Sequence, residues 1–291
     1  MISPAAAVPC QGLSNVFYIP NFITEDEELL LLRKIEETPK SKWRTVSNRR
    51  LQTWGGEIVS GALLRTPMPS FLCEYPNILA RIGDTGAFDQ TPQKAPNHVI
   101  LNEYPAGQGI MPHQDGPTYH PVVATVSLGS HTILHYYRYQ EESGLQDDFN
   151  SSVESPPTMD SHSRPIDPRP ALSILLEPRS LVVTTDDLYR FHLHGIDDVA
   201  TDHFLPHGPG TEPLTDSEAT RETNPKCPID RISVANWTLL GDSDILNTLR
   251  EGGSLKRSTR ISLTCRVIER AINPRILGTT RTPYYENSVP K

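Results

Sequence analysis

A His-Gln-Asp triplet at residues 113–115 constrains this chain more than any other feature, because its two outer side chains need a third partner from a distant stretch. Side chains on an extended segment repeat every second residue, so His113 and Asp115 project to the same side. Joined by one more histidine, they occupy one face of an octahedral metal and leave other positions open, a ligand set suited to non-haem Fe(II). Two histidines are available downstream in LYRFHLHGI, His192 and His194. Both lie on one predicted strand with the same facing, and spacing alone leaves the choice open. Whichever serves, the fold must bring two separate regions together.

The triplet has informative company. Asn102 and Tyr104 alternate in NHVILNEY just upstream, and each offers a donor for a carboxylate oxygen. Arg260 and Arg266 flank the alternating run RISLTCR, six residues apart, so both can point inward from one strand. A guanidinium is a planar fork of donors that grips a carboxylate with two parallel bonds.

With that order of residues the chain resembles the AlkB family of Fe(II)- and 2-oxoglutarate-dependent dioxygenases, and within it the sixth animal branch. The resemblance is carried by NRRLQTWGG (48–56), NHVILNEYPAGQGIMPHQDGPTYHPVVATVSLGSHTIL (97–134), LLEPRSLVV (175–183), LHGI (193–196) and TRISLTCR (259–266). It implies His113, Asp115 and His194 as Fe(II) ligands, with Gly195 removing bulk beside the last. It implies Asn102, Tyr104, Arg260, Ser262 and Arg266 around 2-oxoglutarate, Arg260 on its distal carboxylate and Arg266 near Asp115. Many relatives carry Asn where Ser262 stands; a hydroxyl can still donate there. The implied reaction couples oxidative decarboxylation of 2-oxoglutarate by O2 to hydroxylation of an N-methyl group, which leaves as formaldehyde.

The implied substrate is an alkylated base in DNA or RNA, single-stranded or flipped from a duplex. A net charge of −8 reads against a nucleic-acid partner until it is located. Residues 141–170 and 197–231 together hold −10, leaving +2 for the rest. Both stretches are rich in Pro, Ser, Thr and Asp and read as acidic insertions. Lys40, Lys42, Arg44, Arg49 and Arg50, interleaved with Trp43 and Trp54, form a basic segment that could stack a base and neutralise phosphates. Trp54, Arg49, Arg50 and Tyr119 are the substrate-side candidates; the bland alternative packs the tryptophans on the first helix. A protein side-chain hydroxylase or demethylase of the same mechanism, or a non-catalytic binding module, are the rival readings.

No apolar run is long enough to span a bilayer, and the N-terminus lacks the basic start and apolar core of a secretory signal. Four cysteines without a CxxC pair fit a reducing compartment, nucleus or cytoplasm. The oligomeric state is left open by the sequence, with a monomer favoured.

The expected organisation is a loose tail (1–14), a helical or lid extension (15–96) and a core (97–291). VFYIPNF reads as a strand. Thr24 and Glu27 form a capping box for a helix whose buried stripe is Leu29, Leu32 and Ile35, with parts of Leu30 and Leu31. A second helix is expected over 69–83, and a short one near 242–251 with Asp242 or Ser243 as cap. From residue 97, HVILNEY, the stretch to His113, VVATVSLG, TILHYYRY, LSILLE, SLVVTT, LYRFHLH and ISLTCRVIE all have strand composition. Glu177–Ser180 reads as a hairpin turn. His120, His131 and His135 read as satisfied polar or core residues. The fold class is therefore mainly β with flanking helices, on a double-stranded β-helix (jelly roll) core.

Overall fold

The computed structural model describes residues 6–8, 15–46, 49–140, 164–207 and 231–272. The first part holds β1 (Val16–Ile19), α1 (Glu25–Glu36), β2 (Arg44–Val46), β3 (Arg49–Trp54), β4 (Gly56–Val59), β5 (Ala62–Arg65), α2 (Ser70–Cys73) and α3 (Ile78–Asp84). The middle holds β6 (His98–Tyr104), β7 (Ile110–His113), β8 (Val122–Leu128), β9 (Thr132–Tyr137), β10 (Leu172–Leu176), β11 (Leu181–Thr185), α4 (Asp186–Phe191) and β12 (Leu193–Ile196). The last part holds β13 (Thr201–His203), α5 (Ser243–Arg250), β14 (Ser254–Lys256), β15 (Arg260–Arg266) and β16 (Ala271–Ile272).

Two antiparallel sheets carry the fold. A seven-stranded sheet runs β1-β11-β8-β15-β6-β3-β2, and a four-stranded sheet runs β10-β9-β12-β7. Followed along the chain, β6, β8, β11 and β15 lie in the larger sheet, while β7, β9, β10 and β12 lie in the smaller. The chain changes sheets at every step of this series except β9 to β10. That alternation is the double-stranded β-helix expected from composition.

Strand periodicity sorts the larger sheet into two faces. Val99, Leu101, Ala124, Val126, Leu181, Val183, Ile261, Leu263 and Cys265 form one apolar core with Leu31 and Ile35 of α1, Leu72 of α2 and Ile78 and Ile82 of α3. The alternate residues, Ile100, Asn102, Tyr104, Thr125, Thr184, Arg260, Ser262, Thr264 and Arg266, line a cavity between the sheets. A slip of one residue in any of these strands would exchange core for cavity.

Several expectations need correction. The capping box at Thr24 and Glu27 is present, but the buried stripe of α1 is Glu28, Leu31 and Ile35, with Leu29 exposed. Glu28 sets that rotation: its carboxylate accepts from the Arg179 guanidinium at 2.9 Å and the Gly129 backbone at 2.8 Å. The helix expected over 69–83 is two pieces, α2 and α3, separated by the segment holding Pro76, which has no N–H to donate. Asp242, not Ser243, caps α5. Glu177–Ser180 joins β10 to β11 across the two sheets and is a corner, not a hairpin turn. Backbone bonds from Arg179 to Ser127 and from Ser127 to Ser180 hold it against the end of β8. LYRFHLH is strand only from Leu193, because α4 takes its first half after two acidic residues that suit a helix start.

β3, in the N-terminal extension, pairs with β6 of the core along five residues. In the tail, Ala7 bridges Phe17 and Val8 is buried. Of the acidic insertions, 141–163 and 208–230 lie outside the described residues, as do Cys10 and Cys227. Residues 197–207 belong to the folded body: Asp202 on β13 is buried and takes a two-pronged contact from Arg257, at 2.7 and 2.6 Å, and His131 at 3.0 Å. Such a pair carries its own partner, which a charge count along the chain does not register.

Candidate active site

Strand pairing assembles the three metal-ligand candidates. β7 ends at His113, and its partner β12 places His194 directly across from it. The two imidazole centroids are 4.4 Å apart. Ligand atoms of His113, Asp115 and His194 all lie within 4.8 Å of one another, close enough to meet on one ion. The close approach of β7 and β12 depends on glycine: a Cβ at Gly109 would lie 2.1 Å from the Ile196 carbonyl, and one at Gly195 would lie 3.1 Å from β7 backbone.

His192 is not part of this group. It ends α4, and its Nε2 accepts from Arg138 at 3.4 Å. Period two failed as a guide here because helix, not strand, precedes Leu193.

The environment prepares each donor. His113 turns Nδ1 to the Met111 carbonyl at 2.8 Å, which makes Nδ1 the protonated nitrogen and leaves Nε2 for a metal. His194 exposes a quarter of its side chain to the cavity, yet burial in the protein lowers its pKa to about 4, with Asp115 opposing; it is neutral and able to ligate. Burial pushes the Asp115 carboxyl up, but Arg266 and His194 outweigh it and hold it below the ordinary carboxylate range. Arg266 grips both oxygens of Asp115, from Nε at 3.0 Å and from a second nitrogen on the other oxygen.

The cavity has a volume of about 270 Å³. Its deep wall shows what it takes. Arg260 is 4% exposed, and burial lowers its pKa to about 10. It donates to the Ser127 hydroxyl at 2.9 Å, while its Nε has no partner, and no carboxylate pairs with it among the described residues. A buried cation without an anion is costly, so this wall fits a carboxylate brought by a ligand. Tyr104 stands 5.8 Å from Arg260, and Asn102 and Ser262 are register partners on β6 and β15.

The substrate-side candidates divide by facing. Arg49 lines the cavity. So does Tyr119, whose ring packs 4.9 Å from the Arg266 guanidinium. Arg50 and Trp54 do not line the cavity. On β3 they fall on the opposite face from Arg49 and Leu51, where Arg50 pairs with Glu103 and Trp54 packs edge-on against Phe71. His120 and His131 bond to Glu269 and Asp202, and His135 bonds to Ser173 through Nδ1 while its Nε2 faces Asp197 at 3.4 Å without a hydrogen bond. Tyr189 on α4 also lines the cavity, and its hydroxyl donates to the Gly116 carbonyl at 3.3 Å. No motif marks Tyr189, because its segment reads as strand.

His98 lies beside this site, its ring tilted against that of Tyr119 with centroids 5.7 Å apart, and is 2% exposed. Neither ring nitrogen makes a well-formed hydrogen bond. Burial, then the Arg266 charge, lowers its pKa to about 4, with a weak opposing pull from the Gly56 backbone. The unfolded chain takes up this proton near pH 6.5, and the folded chain refuses it until about pH 4. His98 thus contributes its full share of stability above pH 6.5, and about 3 kcal/mol of that share is lost as pH falls to 4, with His194 adding a loss of its own. The loss on urea unfolding between pH 7 and pH 4.5 should be smaller in His98→Leu than in the wild type by about 2 kcal/mol; equal losses would remove His98 as a cause.

A family model described as the 2OG-Fe(II) oxygenase superfamily matches residues 15–266. The chain is 36% identical over 258 residues, 89% of its own length and 87% of the relative's, to a Danio rerio protein named as a probable RNA/DNA demethylase, ALKBH6. It is 29% identical over 189 residues to the uncharacterized protein L905 of Acanthamoeba polyphaga mimivirus, covering 64% of this chain and 74% of that one. An Arabidopsis thaliana alkylated DNA repair protein ALKBH8 homolog is 25% identical over 204 residues, 67% of this chain and 52% of that one. Among solved structures, OsALKBH1 aligns over 87% of this chain and 98% of that one, with a TM-score of 0.44 at 12% identity.

Proposed function

Because the chain belongs to the 2OG-Fe(II) oxygenase superfamily, we propose that it is an oxidative demethylase of alkylated nucleic-acid bases. The observation that carries the reading is one cavity holding three convergent metal donors and a buried arginine with no carboxylate partner among the described residues. His113, Asp115 and His194 hold Fe(II). Arg260 takes the distal carboxylate of 2-oxoglutarate, with Tyr104 beside it, and Asn102 and Ser262 donate along its length. Arg266 fixes the rotamer of Asp115, so the carboxylate would meet the metal already oriented.

When bound, Fe(II), 2-oxoglutarate and O2 supply the oxidising power to hydroxylate a C–H bond. A methylated nitrogen, 2-oxoglutarate and O2 then yield the free N–H, formaldehyde, succinate and carbon dioxide. The protein's part is placement: the sheets bury the reacting atoms, and Tyr119 and Tyr189 wall the cavity beside the metal loop.

The base substrate is supported by the names borne by two of the relatives and by the basic segment next to the cavity. Arg44 and Arg50 are paired with Glu57 and Glu103, which trims that segment's free charge. Lys42 lies over Trp54 at 5.5 Å, so the Trp–Lys pairing serves the surface and not the cavity.

Purified protein should form succinate and formaldehyde in equal amounts from N-methylated oligonucleotides, with Fe(II) and 2-oxoglutarate required and His113→Ala inactive. Turnover of methylated peptides but of no oligonucleotide would replace the base reading with the protein one. No succinate above the His113→Ala background would end both.

A further inference from the structure

Three guanidiniums reach the cavity, from Arg49, Arg260 and Arg266. Arg266 is committed to Asp115, and Arg260 faces the ligand's carboxylate. Arg49 does something else: its Nε donates to the Asn102 Oδ1 at 3.1 Å. An arginine N–H can only donate, so the amide atom facing it must be the oxygen. The two ends of an asparagine amide have nearly the same shape, and only such a partner decides between them. With Oδ1 held by Arg49, the NH2 end of Asn102 is directed away from it. Asn102 is 8% exposed and lines the cavity from β6.

We propose that Arg49 is a positioning residue: its hydrogen bond turns the Asn102 amide donor-first toward the cavity, so that this point of the wall accepts a carboxylate oxygen. The inference rests on the reading that the cavity holds 2-oxoglutarate. Without Arg49 the amide is free to rotate and present its own oxygen, which repels a carboxylate. β3, which carries no cosubstrate motif, is thereby drawn into cosubstrate selection.

The test is calorimetric titration of 2-oxoglutarate into the full chain loaded with Mn(II), which binds without turnover. Arg49→Met should weaken binding by about tenfold. In an Asn102→Ala background the same substitution should change it by less than about twofold, because the effect passes through that amide. Arg49→Lys keeps a donor and should stay within about threefold of the wild type. Equal losses in both backgrounds would mean that Arg49 touches the ligand itself and would overturn the proposal, as would no loss in either. Unchanged Mn(II) affinity in Arg49→Met excludes a damaged metal site. Wild-type protein that binds Mn(II) but no 2-oxoglutarate would sink the function reading, and this inference with it, before any variant is compared.

Discussion

Arg260→Met should raise the melting temperature of the metal-free protein while abolishing its response to 2-oxoglutarate. Arg260 is 4% exposed and has no carboxylate partner among the described residues. A fall in pKa from 12.5 to about 10 means that its charge is held at a cost, on the order of 3 kcal/mol. Methionine keeps much of the stem and removes that cost, against the loss of one hydrogen bond to Ser127, worth about 1 kcal/mol. The net gain of about 2 kcal/mol corresponds to roughly 4–8 °C in a domain of this size. Ligand binding moves the other way. Removing one partner of a buried charge pair costs about 3–5 kcal/mol, a loss of roughly 10²–10⁴-fold in affinity. Added 2-oxoglutarate should therefore raise the melting temperature of Mn(II)-loaded wild type by mass action and leave the variant unmoved. A variant that melts lower and still responds to the diacid would make Arg260 a structural cation and move the cosubstrate elsewhere.

What could be read from the residues follows from how local each signal is. The His113-Gln114-Asp115 triplet needs only the two-residue repeat of an extended chain, and Arg260, Ser262 and Arg266 share a face for the same reason. Facing is also legible in principle on β3, where Arg49 and Leu51 alternate with Arg50, Gln52 and Trp54. By that repeat Arg49 faces the cavity while Arg50 and Trp54 face away from it. The rotation of α1 was not legible, because Glu28 is buried by an arginine 151 residues away. Nor was the corner at Glu177–Ser180, whose turn composition is the same whether the next strand joins the same sheet or the facing one. The choice of His194 over His192 depended on where α4 ends, and short apolar runs do not distinguish helix from strand.

Asp115→Ala and His194→Ala should both abolish Fe(II) binding, yet differ sharply in stability. His194 is neutral in the folded protein, so truncating it removes packing and leaves no stranded charge. A cost of about 1–2 kcal/mol is expected. Asp115 is the sole carboxylate in contact with Arg266 among the described residues, and the side chains are 4% and 7% exposed. Its removal leaves a buried guanidinium, already short of one partner at Nη1, with no carboxylate among the described residues to neutralise it. Breaking a buried pair in this way costs about 3–5 kcal/mol, or roughly 6–20 °C of melting temperature. Asp115→Asn, which retains an acceptor oxygen, should fall between the two. The double variant Asp115→Ala with Arg266→Met should regain most of the lost stability without regaining the metal, because the stranded charge is gone while a ligand is still missing. Thermal denaturation of the metal-free proteins, paired with Co(II) titration followed by visible absorption, separates the two effects. Equal melting temperatures for Asp115→Ala and His194→Ala would show that the Arg266 contact adds nothing to the fold, and the carboxylate would then be held in place by the metal alone.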